Sequence, residues 1–140
     1  MDNRIAIWNT LHDGEITVVG HEHPATLVMF VSIPYLRERI APLGDSFALR
    51  LAGIRSMEFL DYEGKKKTSS MEDIARSGIE ILSTDSEAMP VKIATTTGFL
   101  TLDFDTLEIR LDTGQSVDYD QVYRVCCAYW DEWSAKHKNA

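Results

Sequence analysis

Cysteine is nearly missing from this chain. Only Cys126 and Cys127 occur among 140 residues, and they are neighbours. Bridging adjacent cysteines strains the peptide between them, and two thiols alone do not complete a four-ligand zinc site. Reduced, packed thiols are expected, in keeping with a reducing compartment. Long apolar runs are missing too, since no segment approaches the roughly 18 residues that span a bilayer. The opening "MDNRIAIWNT" has no basic region followed by an apolar run, so no signal peptide is expected and the cytoplasm is the default compartment. Cationic residues are scarce: 14 Lys and Arg stand against 22 Asp and Glu, a net charge of −8. That balance weighs against nucleic acid as a partner, because phosphate binding relies on lysine and arginine. Neither a Gly-rich phosphate loop nor a G-x-S-x-G elbow occurs. The pattern therefore signals no cofactor and names no catalytic residue, and it leans away from an enzyme.

What is present suits one α+β domain over residues 1–140. Glu15–His21 reads as a strand. Thr26–Ile33 is almost continuously apolar and reads as a central strand covered on both faces, with His23-Pro24-Ala25 as the turn between them. Pro34 ends that strand, and Tyr35–Ser46 is a connection with one helical turn before Pro42. From Ser46, Phe47, Leu49 and Leu51 alternate with Ala48, Arg50 and Ala52. Ile54–Tyr62 follows as a strand after Gly53, and Gly64–Ser70, with the basic run Lys65-Lys66-Lys67, is a polar loop.

A short helix is expected over Met71–Ser77. Ser69 and Glu72 have capping-box spacing, and Gly78 suits the left-handed residue after its end. Ile79–Thr84 returns to strand, Asp85–Ala88 turns, and Met89–Thr97 is β-rich. Leu100, Leu102 and Phe104, then Leu107, Ile109 and Leu111, alternate with polar residues and predict a hairpin. Asp105-Thr106 offers no glycine for a tight two-residue turn, so a longer loop or bulge is expected there. The last element is a helix capped by Asp118 or Asp120. Val122, Val125, Cys126, Tyr129, Trp130 and Trp133 form one apolar stripe, which predicts a helix laid on the sheet with both tryptophans as core anchors. The fold expected is a mostly antiparallel sheet or two-layer β structure with a short middle helix and a packed C-terminal helix.

Three groups of residues are candidates for chemistry. In "NTLHDGEI", His12-Asp13 precedes a glycine with no helix expected nearby, so it reads as a turn in which glycine takes the positive φ. His21 and His23 of "HEHP" would share a strand face and could hold a metal if a third and a fourth ligand joined them, with His12 or Glu15 as the candidates. Asp103, Asp105, Glu108 and Asp112 project from the alternating strands as an acidic surface.

The run of motifs "LHDGEI", "YLRERI", "FALRLAGIRSMEF", "IEILS" and "LTLDFDTLEIRL", closed by an aromatic helix, resembles small bacterial β-rich domains. Among these are immunity proteins of polymorphic toxin systems. The resemblance implies a cytoplasmic, non-enzymatic interaction protein that sequesters a basic protein toxin, here through the acidic surface of Asp103, Asp105, Glu108 and Asp112. Two other readings stay open. One is a metal- or small-molecule-binding β domain centred on His12, His21 and His23; the other is a structural subunit of a homo-oligomer.

Overall fold

The computed structural model describes residues 2–64, 67–68, 70–76 and 78–137. Its elements run α1 (Asn3–Thr10), β1 (Glu15–His23), β2 (Thr26–Ser32), α2 (Pro34–Arg37), β3 (Ser46–Ala52), β4 (Ser56–Asp61) and β5 (Lys67–Thr68). They continue as α3 (Met71–Arg76), β6 (Ile81–Ser83), β7 (Val91–Thr95), β8 (Gly98–Asp103), β9 (Thr106–Leu111), β10 (Ser116–Val117) and α4 (Tyr119–His137). The strands make two antiparallel sheets, ordered β1-β2-β3-β9-β10 and β5-β4-β8-β7-β6. The fold is α+β, as the sequence predicts. Lys65, Lys66, Ser69 and Ser77 lie outside the described residues, so the capping box built on Ser69 does too. Ser70 Oγ accepts from Asp73 N at 3.4 Å at the start of α3, and Gly78 takes φ +63° after it.

The hairpin expected between Leu100 and Leu111 does not form. β8 pairs with β4 and β7, whereas β9 pairs with β3 and β10. Both alternating runs are strands, but the chain changes sheets between them. Opposite this corner, β3 and β4 change sheets as well, so Ala52 pairs with Thr106 and Ser56 with Asp103. Two long strands thus bend together. Gly53 makes room at the bend with φ +72°, where an added Cβ would lie 2.3 Å from Asp105 Oδ2. Arg55 ties the corner by bonding both Asp103 and Asp105. Corners made by strands that switch sheets are a standard way to stack two sheets over one core.

An unforeseen helix fills that core. α1 is capped by Asp2, whose carboxylate accepts from Arg4 N at 3.0 Å, and Ile7, Trp8 and Leu11 are fully buried. It meets β6, β9 and α4. His12-Asp13-Gly14 is therefore a helix-to-strand junction, not the turn that reverses one strand. Asp13, not the glycine, takes the left-handed conformation, at φ +73°. Gly14 is needed for a different reason: an added Cβ would sit 2.4 Å from Val31 Cγ1 and 2.9 Å from Leu11 O. The junction also joins the two sheets, since Asp13 N donates to Ile81 O and Ile81 N donates to Gly14 O, both at 2.8 Å.

Two further expectations are corrected. β2 is buried on one face only, through Leu27, Met29 and Val31, while Val28 and Phe30 are partly open to solvent. The stripe of α4 faces α1 and α2 before any strand. Only Val122 on it is fully buried, and Trp133 is 45% exposed, so Trp8 is the tryptophan that anchors the core.

Arg37 was not singled out by its sequence context, yet it is wholly buried. Its Nη1 donates to Ala41 O at 2.8 Å, its Nη2 to Leu43 O at 2.6 Å, and its Nε to Ser46 O at 3.2 Å. Asp112 balances the charge at 2.9 Å and accepts from Asp45 N and Ser46 N. A buried guanidinium is tolerable only when its charge and donors are met in this way.

Candidate functional site

The four predicted carboxylates do not form one free acidic face. Asp103 and Asp105 converge on Arg55 at the sheet corner. Glu108 lies on β9 beside Arg50 and Arg110. Asp112 serves the buried Arg37. Each carboxylate has an arginine within reach, because the alternating strands that carry Asp and Glu lie beside strands or loops that carry Arg. The Arg55 guanidinium holds Asp103 below the usual carboxylate range. For Asp112, burial pushes the carboxyl up, but the N–H groups of Asp45 and Ser46 and the Arg37 guanidinium outweigh it and leave a net lowering.

The histidines are held apart. β1 begins just after His12 and carries His21 and His23 at its far end; eight strand steps at about 3.3 Å separate its ends by about 26 Å. The ladder register also shifts between His21 and His23, which interrupts the two-residue alternation expected to place them on one face. Among the described residues, no group of three His, Cys, Asp or Glu side chains is placed to hold a metal ion.

The residues that do converge are aromatic. Asp118 caps α4, accepting from Gln121 N at 2.8 Å, and the helical repeat then carries Tyr129, Trp130 and Trp133 away from the buried Val122. Tyr129 meets Tyr35 at 4.4 Å between ring centroids, and Trp130 meets His12 at 5.4 Å and Trp133 at 5.8 Å. His137 stacks on Trp133 at 4.0 Å. The Arg39 guanidinium lies over the Tyr129 ring at 5.1 Å and bonds Glu132. Tyr35 donates to His12 O at 3.2 Å, and burial holds its phenol protonated far above the ordinary range. The outcome is an ordered aromatic strip, half-buried at Tyr129 and Trp130 and exposed at Trp133.

The chain matches no family model, no curated protein and no solved structure.

At the other end of α4 lies an apolar groove of about 500 Å³, walled by Ile5, Ala6, Tyr119, Tyr123 and Cys126. Its polar groups are largely engaged. Thr10 Oγ1 donates to Ala6 O and meets the Tyr119 hydroxyl, and the Cys126 thiol donates to Thr10 O at 3.4 Å. Burial raises the Cys126 thiol, which opposes thiolate formation. Asn9 is taken up by both backbone groups of Thr84. Among the described residues lining the groove, the Cys126 thiol is bonded to a backbone carbonyl and not to a base.

The helical turn expected within Tyr35–Ser46 forms at Pro34–Arg37, but nothing in that segment marks Tyr35 and Arg39 as partners of an aromatic helix. The available signal was Pro34, which suits the first position of a helix. It places Tyr35 and Arg39 four residues apart and so on one side of the turn that follows.

Proposed function

We propose that the chain is a non-enzymatic interaction protein whose partner docks on the aromatic strip of α4. The observation that carries this reading is the strip itself, with Trp133 45% exposed and its neighbours held by Tyr35, His12 and Arg39. Rings already fixed by neighbours lose little freedom on binding, and tryptophan, tyrosine and arginine dominate interface hot spots. The paired carboxylates Asp103, Asp105, Glu108 and Asp112 are a weaker docking surface, because a partner must compete with resident arginines. The net charge of −8 acts at longer range, favouring a basic partner and its rate of encounter. In the form implied by the resemblance to immunity proteins, that partner is a basic protein toxin occluded one-to-one in the cytoplasm.

The test places a photo-crosslinking residue at Trp133, or at Glu108, in cells of the native host. A discrete adduct from position 133, identified as one basic protein and lost on Trp130→Ala, supports the reading. Adducts from position 108 alone would return the interface to the acidic surface, and silence at both would remove the proposal.

A further inference from the structure

On the outward face of the β1-β2-β3-β9-β10 sheet, Val18 and Arg110 are exposed and Val28, Phe30, Ala48, Arg50 and Glu108 are only half-buried, and the side chains fall into two cross-strand rows. One row is Val18, Phe30, Ala48 and Arg110; the other is Gly20, Val28, Arg50 and Glu108. Val18 stands out, 52% exposed. Gly20 does the opposite. It lacks the positive φ that would require glycine, and an added Cβ would meet nothing within 4 Å. Glycine inside a strand weakens it and often marks a close approach by another backbone, yet among the described residues nothing lies within 4 Å of where a Gly20 Cβ would sit. A hollow of about 300 Å³ lies there, bordered by Val18, Val28 and Phe30.

We propose that this face is a self-association surface, on which a second copy of the chain sits across a twofold axis lying in the interface and perpendicular to the strands. Such an axis lays each row on the other row of the partner. Val18 then enters the hollow over the partner's Gly20, Phe30 covers the partner's Val28, and Ala48 leaves space for the partner's Arg50. Arg110 and Glu108, already paired within the chain at 2.8 Å, meet the partner's Glu108 and Arg110, so that the two pairs join in one alternating network across the axis without either giving up its own partner. Shape and charge are both self-complementary in this register, as an isologous interface requires. A twofold axis parallel to the strands would instead set the apolar β1 edge on the charged β9 edge. Strand order and spacing give a face of about 24 by 20 Å, or about 1,000 Å² for the pair. That is the lower end of specific interfaces, where weak and transient association lies. The proposal uses none of the α4 strip and stands or falls separately from it.

Sedimentation equilibrium from about 1 µM to about 1 mM brackets the affinity of an interface this small. The wild type should pass from 15.8 kDa to twice that mass, while Val18→Lys stays monomeric throughout. Glu108→Arg alone and Arg110→Glu alone should each weaken association by about tenfold or more through like charges across the axis. An equimolar mixture of the two should restore it, since each Arg then faces a Glu. Wild type monomeric at the highest concentration would overturn the proposal. So would a Val18→Lys dimer, or a mixture no tighter than either variant alone. Positions 108 and 110 lie at the surface, so the mixture decides the matter even if Val18→Lys is poorly folded.

Discussion

Replacing Asp112 with asparagine should destabilise the protein far more than its place on a polar stretch suggests. The substitution keeps the shape but removes the carboxylate paired with the fully buried Arg37. Breaking a buried ion pair costs about 3–5 kcal/mol when a charge is stranded. Two features reduce that figure here. Arg37 keeps the carbonyls of Ala41, Leu43 and Ser46, and the Asp112 side chain is 22% exposed, so water shares the burden. A loss of about 2–3 kcal/mol is expected, a large part of the roughly 5–15 kcal/mol that holds a domain folded. In urea, with a slope of about 2 kcal/mol per M, the midpoint should fall by about 1–1.5 M by far-UV circular dichroism. The sign with pH follows from the lowered carboxyl of Asp112. Its contribution is complete above the unfolded value of about 4 and is lost as pH falls through the lower folded value. The gap between wild type and Asp112→Asn should therefore close in acid. Arg37→Met should cost more, because three carbonyls lose their donor, and adding Asp112→Leu should not rescue it. A midpoint for Asp112→Asn within about 0.25 M of wild type would refute this account of Arg37.

Other substitutions separate the remaining structural claims. Trp8→Ala should lose about 3–5 kcal/mol, whereas Trp133→Ala should lose less than about 1 kcal/mol; equal losses in chemical denaturation would restore both α4 tryptophans to the core. Gly14→Ala should cost about 1–3 kcal/mol through overpacking against Val31 and Leu11, and an unchanged melting temperature would mean that the junction gives way freely. Thiol titration with an alkylating reagent should find one fast cysteine, the exposed Cys127, and one slow one, the half-buried Cys126 whose thiol is raised by burial. Equal rates at both would contradict the described helix face.

The strands were legible because a sheet with one wet face writes its period into the chain. Phe47, Leu49 and Leu51 are buried in alternation as expected. Pairing was less legible, because Leu100–Phe104 and Leu107–Leu111 look like the arms of a hairpin whether they pair with each other or with strands distant in the chain. α1 was missed for another physical reason. Ile5, Ala6, Ile7, Trp8 and Thr10 are all buried, so that short helix has no polar face to mark a period. The carboxylates and histidines of the candidate sites stand out in the sequence, but what surrounds them is set by Arg37, Arg55 and the course of β1, which no local pattern records. The aromatic stripe of α4 was read correctly as a stripe. Periodicity gives the face of a helix and not the depth to which it is buried.

The bent strand pair also bears on how the molecule comes together. Asp61 and Gly98 meet across 37 residues of chain. From that pair outward the ladder runs through the corner to Phe47 and Leu111. Once the first contact closes, each later pair lengthens the enclosed loop by only a few residues, and loop entropy grows slowly with length. Formation of the β4–β8 ladder therefore brings β3 and β9 together almost without further search, although they belong to the other sheet. Order should spread from one sheet to the other as along a zip, and backbone amides of β3, β4, β8 and β9 should exchange with solvent in a single slow class.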